Sequence, residues 1–184
     1  MIKVFLVEDE VVMRNGIKNN IPWEKEGLIF AGEASDGELA YPMIKKAQPD
    51  ILITDIRMPF MDGLELSELV KKEFPKIKII ILSGYNEFDY AKQAIHIGVT
   101  DYLLKPITAS KLLEAVKKVA DVIEKEREEE GMLERYRLEM AENTVLERQR
   151  LFRDLVTSRI NFKEALERGE ELGLELSASF YQLM

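Results

Sequence analysis

Acidic, hydroxyl and basic side chains directly follow four short apolar runs of the sequence. The run IKVFLV is followed by Glu8 and Asp9, and the run ILIT by Asp55. IKIIIL is followed by Ser83, and DYLL by Lys105. An ionised carboxylate at the end of a buried run costs free energy unless a cation pairs with it. Three acids, a hydroxyl and an ammonium group would together suit a site that binds Mg²⁺ and a phosphoryl group.

The apolar runs that precede these side chains predict five β-strands. The predicted strands cover residues 2–7, 28–34, 50–55, 77–82 and 100–105. Segments with helical spacing lie between them, and runs this short and apolar are typical of strands covered on both faces. The repeated β-α order predicts an α/β fold with a doubly wound, five-stranded parallel sheet. Because such sheets bind ligands at the carboxyl ends of their strands, the five side chains are expected to meet at one edge.

A long helical extension follows the last predicted strand. Apolar residues recur with helical spacing over 112–123, and EKEREEE at 124–130 is typical of a solvated helix surface or a linker. Gly131 is expected to interrupt or bend the helix. Over 133–160 the apolar positions keep helical spacing without a strict heptad, which predicts a long helix that packs on another surface, such as a second copy of itself.

These patterns divide the chain into three regions. We expect a first domain over 1–121, a helical linker over 122–161 that could serve as a coiled-coil dimer arm, and the start of a truncated following region over 162–184. Within the last region, 162–174 predicts another helix with a glycine stop, and ELSASFYQLM at 175–184 predicts the start of a strand. The chain is therefore expected to be a piece of a longer protein.

Composition and charge exclude several classes of protein. The net charge is −8, and neither half carries the dense basic cluster expected of a nucleic-acid-binding domain. The absence of cysteine excludes disulfides and thiolate metal sites. No apolar run approaches the roughly 18 residues that span a membrane, and the first residues are not expected to act as a signal peptide. We therefore expect a cytoplasmic protein with no membrane partner.

Four motifs together resemble the receiver (CheY-like) domain of two-component response regulators. They are VEDE at 7–10, DIRMPFMDG at 55–63, LSGY at 82–85 and DYLLKPI at 101–107. The stretch 82–107 also resembles one subgroup, the regulators that carry an AraC-type helix-turn-helix output domain. The resemblance implies a flavodoxin-like sheet of strand order 2-1-3-4-5. It also implies transcription regulation in the full-length protein, with DNA bound only through an output domain that is missing from this chain.

The resemblance implies a role for each member of the acidic group. Asp55 would be the nucleophile that accepts a phosphoryl group from a sensor histidine kinase. Asp9, Asp55 and the backbone carbonyl of Arg57 would bind Mg²⁺ directly, and Glu8 would bind it through a water molecule. Many family members have aspartate at the position of Glu8, and the extra methylene leaves direct binding open as well. The chain would then be no enzyme but a phospho-acceptor that promotes its own phosphotransfer and slow dephosphorylation.

The resemblance assigns the remaining motif residues to phosphate binding and to a switch. Lys105 would pair with the acyl phosphate, and the family pattern implies a cis peptide bond between Lys105 and Pro106. Ser83 would turn toward a phosphoryl oxygen, and Tyr102 would rotate inward into the space that Ser83 vacates. Phosphorylation would thereby bias the face formed by the fourth helix, fifth strand and fifth helix, which mediates homodimerisation in this family.

Other functions stay open on the residues alone. An aspartyl-phosphate phosphatase uses a similar sheet, but those enzymes carry a DxD motif at the nucleophile, where this chain has Arg57 in place of the second acid. A receiver-like module that only binds partners, or a stand-alone receiver without DNA-binding output, is a further alternative. The intact acids and Lys105 argue against a module that only binds partners.

Overall fold

The computed structural model of the protein describes residues 1–84 and 88–174, with the backbone alone for Phe88. The chain forms two compact units, Met1–Lys125 and Glu126–Met184. The strand expected over 175–184 lies outside the described residues. The division into three sequence regions stays a prediction.

A five-stranded parallel sheet forms the centre of the first unit, with the strand order β2-β1-β3-β4-β5. The strands are β1 (Ile2–Val7), β2 (Leu28–Ala34), β3 (Ile51–Asp55), β4 (Lys78–Ser83) and β5 (Asp101–Leu104). All five residues of β3 are buried, because this central strand is apolar on both faces and helices cover both. The fold class and the strand order predicted from the sequence are confirmed.

Six α-helices lie within residues 1–84 and 88–174. They are α1 (Val11–Asn20), α2 (Gly37–Ala47), α3 (Gly63–Glu73), α4 (Phe88–Ile97), α5 (Ala109–Val156) and α6 (Phe162–Glu171). Asp36, Asp62 and Asn161 cap the N-termini of α2, α3 and α6 with their side chains. Within the described part of the chain, no helix combines the length and the apolar character needed to cross a lipid bilayer.

Two apolar clusters cover the two faces of the sheet. On one face, residues of α1 and of the start of α5, such as Ile17 and Val116, pack on β1 and β3. On the other face, residues of α2 and α3, such as Ile44 and Leu66, pack on β3 and β4. The sheet is thereby fixed from both sides, and its strand ends are held in place.

The helix α5 passes through Gly131, so the expected interruption at this residue is wrong. A single glycine in a helix costs only about 1 kcal/mol relative to alanine and does not by itself end the helix. Pro42 similarly lies inside α2, although its missing N–H weakens the hydrogen bonding there.

The second unit contains the distal part of α5, from Glu126, and α6. Arg148 of α5 donates hydrogen bonds from Nε (3.0 Å) and Nη2 (2.6 Å) to the carbonyl oxygen of Leu172, just after α6. The two helices therefore form an antiparallel hairpin, which we call the helical hairpin (126–174). Its buried residues, within the described chain, are Leu151, Ala165 and Gly169.

Candidate functional site

Two of the predicted acids come together where β1 and β3 end. β1 and β3 pair in parallel with Val7 opposite Thr54. Glu8 and Asp55 are the next residues along each strand, so this register places them side by side at one edge of the sheet. Both are buried, with exposed fractions of 0% for Glu8 and 7% for Asp55.

The ends of β4 and β5 bring Lys105 to the same edge. Ser83 pairs with Leu104 in the parallel register, and the N–H of Lys105 donates to the carbonyl oxygen of Ser83 at 2.7 Å. The peptide bond between Lys105 and Pro106 is cis, as the resemblance implies. The hydroxyl-bearing residue and the lysine therefore follow neighbouring strands, next to the acids.

Three carboxylates crowd this edge. Glu8, Asp9 and Asp55 each offer one oxygen atom, and these atoms all lie within 4.8 Å of one another. Burial raises the pKa of Glu8, the hydrogen bond and charge of Lys105 partly offset this, and the neighbouring charge of Asp55 adds to the rise. Asp9 is more exposed than the other two acids.

Lys105 is the ammonium group that binds the buried acids. Its Nζ lies 2.8 Å from Asp55 Oδ2, 2.9 Å from Glu8 Oε2 and 3.1 Å from Glu8 Oε1. Burial disfavours its charged form, but the hydrogen bonds to Asp55 and Glu8 outweigh that effect, so the pKa of Lys105 is raised. One ammonium supplies one positive charge for three carboxylates, and an all-oxygen donor set with excess negative charge fits Mg²⁺.

Asp55 is held by the backbone around it. Its Oδ1 accepts a hydrogen bond from the N–H of Ile56 at 2.7 Å, and Thr54 Oγ1 donates to its carbonyl oxygen at 2.9 Å. The N–H of Ile56 also donates to the carbonyl oxygen of Leu82 on β4, at 3.2 Å. The carboxylate therefore has a defined orientation at the end of the central strand.

Gly63 is a residue of this site that the sequence alone does not reveal, because an Asp-Gly pair such as Asp62-Gly63 is a common turn signal. Asp62 does cap α3, since its Oδ1 accepts from the N–H groups of Leu64 and Glu65, both at 2.8 Å. A Cβ atom on Gly63, however, would lie 1.8 Å from the carbonyl oxygen of Asp55. Only a glycine allows α3 to begin this close to the nucleophile candidate. The sequence around Gly63 gives no sign that this residue approaches Asp55, which lies eight residues earlier in the chain.

Five of the seven predicted site residues line an open cavity of about 650 Å³, whereas Glu8 and Tyr102 do not. Asp9, Asp55, Arg57, Ser83 and Lys105 all contribute to its wall. The cavity therefore offers carboxylates, a hydroxyl group and an ammonium group to one small anionic ligand.

Tyr102 lies away from this wall. It is half-buried and packs against the apolar cluster that includes Ala94 of α4, and its hydroxyl is shielded from solvent without a hydrogen bond to any described residue. Arg57 is exposed, and its guanidinium carbon lies 5.7 Å from the ring centre of Tyr90. The side chain of Arg57 thus contacts α4.

The fold and the acidic edge define the class of protein to which this chain belongs. The family model of the response regulator receiver domain matches residues 4–117, so the chain is a member of that family. Receiver domains are regulators of two-component systems and are generally not classed as enzymes. They bind Mg²⁺ at an acidic site, interact with histidine kinases and often dimerise. Among the described residues, Glu8, Asp9 and Asp55 form a group of acids that could hold a metal ion.

Curated relatives of the chain are transcriptional regulators. The chain is 41% identical over 119 residues to YesN of Bacillus subtilis, an uncharacterised transcriptional regulatory protein, and the match covers 65% of this chain and 32% of YesN. It is 39% identical over 112 residues to the transcriptional regulatory protein HptR of Staphylococcus aureus, covering 61% of this chain and 44% of HptR. The chain thus matches less than half the length of these relatives.

Solved structures resemble the first unit. The receiver domain of AraT, a response regulator from Geobacillus stearothermophilus, is 39% identical with a TM-score of 0.64, covering 68% of this chain and 98% of that domain. A two-component transcriptional regulator AraC from Clostridium phytofermentans is 30% identical with a TM-score of 0.61, covering 70% of this chain and 99% of that chain. Both similarities support the predicted fold, and the second supports the likeness to AraC-type regulators.

Proposed function

We propose that Asp55 is the phospho-acceptor of a two-component phosphorelay and receives its phosphoryl group from a sensor histidine kinase. The observation that carries the proposal is the contact of Lys105 Nζ with Asp55 Oδ2 at 2.8 Å on the wall of an open cavity. A carboxylate that is oriented by Ile56 and paired with an ammonium group can attack phosphorus and keep the product's charge neutralised.

The transfer forms one bond and breaks one. An oxygen of Asp55 forms a P–O bond as the P–N bond to the kinase imidazole breaks, and the imidazole nitrogen leaves with the electron pair and takes up a proton. Asp9, Asp55 and the Arg57 carbonyl would hold Mg²⁺, with Glu8 binding through water, and the ion supplies charge neutralisation at the phosphoryl oxygens. Lys105 binds a phosphoryl oxygen from its place beside Asp55.

A switch of conformation would follow phosphorylation. Ser83, which is buried beside the cavity, turns its hydroxyl to a phosphoryl oxygen, and Tyr102 takes the inward position. The contact of the half-buried Tyr102 with the apolar cluster that includes Ala94 supports this role, because a rotation of the ring would alter its packing against α4. The change favours homodimerisation through the face formed by α4, β5 and α5.

We also propose that the regulated output is transcription and that the protein acts in the cytoplasm. The support is the naming of YesN and HptR as transcriptional regulatory proteins and their greater length. DNA would be bound by an output domain outside the matched residues.

We also propose that the helical hairpin contributes to homodimerisation. Leu133, Tyr136 and Met140 of α5 share one helix face and are exposed by 52%, 60% and 50%. Sedimentation of the whole chain should show a dimer that the substitution Tyr136→Glu weakens. Glu139→Lys is a control for charge on a neighbouring face, and equal association of Tyr136→Glu and the wild type would reject the helix as a dimer arm.

The phosphorylation proposal is tested by incubating the chain with acetyl phosphate and Mg²⁺ and measuring its intact mass. We expect a gain of one phosphoryl group that Asp55→Asn abolishes. Asp62→Asn is a matched control, because it removes a nearby carboxylate but keeps a side chain that caps α3. Sustained hydrolysis of aryl phosphates would point to a phosphatase instead. If neither a small phosphodonor nor a kinase modified the chain, the result would favour a module that only binds partners.

A further inference from the structure

The loop that carries Glu8 and Asp9 leads into a helix that lacks a side-chain cap. Glu10 precedes α1, and its side chain makes no capping hydrogen bond. In α2, α3 and α6, by contrast, an Asp or Asn side chain fixes the first turn. The loop 8–10 supplies two of the three acids of the site, so its backbone has to be held in another way.

Arg14 makes contacts that can hold this loop. It lies one turn into α1 and reaches back, so that Nη1 donates to the carbonyl oxygen of Glu8 at 2.6 Å and approaches the carbonyl oxygen of Asp9 at 3.4 Å. Its side chain is only 16% exposed. One guanidinium nitrogen therefore binds the backbones of both acids on this loop.

Glu33 of β2 faces the other side of the same guanidinium group. Its Oε1 lies 3.9 Å from Arg14 Nε, and its Oε2 lies 3.3 Å from Lys18 Nζ. Glu33 pairs with Leu6 across the β1–β2 ladder, so its backbone is fixed by the sheet. The carboxylate can thus set the direction in which the arginine points. Lys18 shares this carboxylate, but its ammonium group has no contact with the loop among the described hydrogen bonds and ion pairs.

We infer that Arg14, oriented by Glu33, is a positioning residue that holds Glu8 and Asp9 in the arrangement that binds a divalent cation. The inference rests on the proposed function, which takes these acids as metal ligands. Fixing the two carbonyl groups fixes the backbone from which both carboxylates extend, and metal ligands need such support to keep their geometry. Arginine suits the task because its planar group can bind carbonyls with one nitrogen while another faces Glu33.

Calorimetric titration of the whole chain with Mg²⁺ tests the inference. For Arg14→Gln we expect affinity to fall by about tenfold, as for other residues that orient metal ligands. Arg14→Lys should recover part of the loss, since an ammonium group can reach one carbonyl but cannot also face Glu33. Glu33→Gln should weaken binding less than Arg14→Gln. Lys18→Gln, which removes the other cation beside Glu33, should bind Mg²⁺ like the wild type.

A second measurement separates positioning from general loss of structure. The rate of labelling by acetyl phosphate in Arg14→Gln should be low at limiting Mg²⁺ and approach the wild-type rate at saturating Mg²⁺. Unaltered Mg²⁺ affinity in folded Arg14→Gln would overturn the inference and leave the proposed function standing. If Arg14→Gln does not fold, the test uses Glu33→Gln and Lys18→Gln instead. Equal Mg²⁺ affinities of these two variants would overturn the inference. A wild-type chain that binds no Mg²⁺ would overturn both proposals.

Discussion

The receiver unit (1–125) and the helical hairpin (126–174) differ in how much of their apolar surface they bury. In the receiver unit, β1, β3 and β4 are almost entirely buried, and two apolar clusters cover the sheet. In the hairpin, many large apolar side chains are exposed: Met132, Leu133, Tyr136, Leu138, Met140, Val145, Leu146, Phe152, Val156 and Phe162. The same chain thus contains a well-packed unit and one with a very small core.

The difference shows what a charged site requires. Burying Glu8 and Asp55 costs free energy, and only a scaffold with a large apolar core can offset that cost and keep the acids beside Lys105. The hairpin holds no such group, and helices of this kind depend on packing of their apolar faces for stability. We therefore expect substitutions in the receiver unit to act on chemistry and global stability, and those in the hairpin to act locally.

Two glycines give the largest contrast between the units. Gly63→Ala would force a Cβ atom onto the carbonyl oxygen of Asp55, so we expect a loss of about 3 kcal/mol in the stability of the receiver unit. The rate at which acetyl phosphate labels Asp55 should fall together with the stability. Trp23, the only tryptophan, is buried in this unit, and its fluorescence during denaturant unfolding measures the change.

Gly131→Ala is the matched control for that substitution. A Cβ atom on Gly131 meets nothing within 4 Å, and alanine is the better helix former by roughly 0.5–1 kcal/mol. Hydrogen exchange around residue 131 should slow while the Trp23 unfolding curve stays in place. A stable, fully active Gly63→Ala protein would show that α3 can move away from Asp55 at little cost.

Two buried leucines give an intermediate contrast. Leu151→Ala removes most of the small core of the hairpin, so we expect about 2 kcal/mol of local destabilisation and roughly 30-fold faster hydrogen exchange in α6. The Trp23 unfolding curve should not move. Leu66→Ala, in the receiver core, should instead shift that curve by about 3 kcal/mol. If Leu151→Ala shifted the Trp23 unfolding curve as far as Leu66→Ala does, the two units would not unfold independently.

The cap of α6 gives the smallest expected effect. The side chain of Asn161 accepts a hydrogen bond from the N–H of Glu164 at 2.9 Å, and Asn161→Ala should cost about 1 kcal/mol. Hydrogen exchange in the first turn of α6 should accelerate by roughly fivefold, while labelling of Asp55 stays unchanged. Asn161→Asp keeps a capping oxygen and should exchange like the wild type. Similar exchange in Asn161→Ala and the wild type would mean that other contacts hold this turn.

Much of the site could be predicted because the motif residues follow apolar runs. Asp55, Ser83 and Lys105 each lie where a strand ends, and a parallel sheet brings such positions to one edge whatever the details of packing. The interruption expected at Gly131 is wrong for the opposite reason, because the local propensity of one glycine counts for less than the neighbouring turns that carry the helix through it. Patterns that repeat along a strand or a helix are therefore safer guides than a single residue.

The sequence by itself determined the fold class, the strand order through the family resemblance, and the residue types of the acidic edge. Hydrophobic periodicity and motif order are properties of the chain, so they can be read before folding. Only the tertiary structure decided the contacts made by Gly63, Arg14 and Glu33. These contacts join residues from different strands, loops and helices at distances of a few ångströms, and such distances depend on how the helices pack against the sheet.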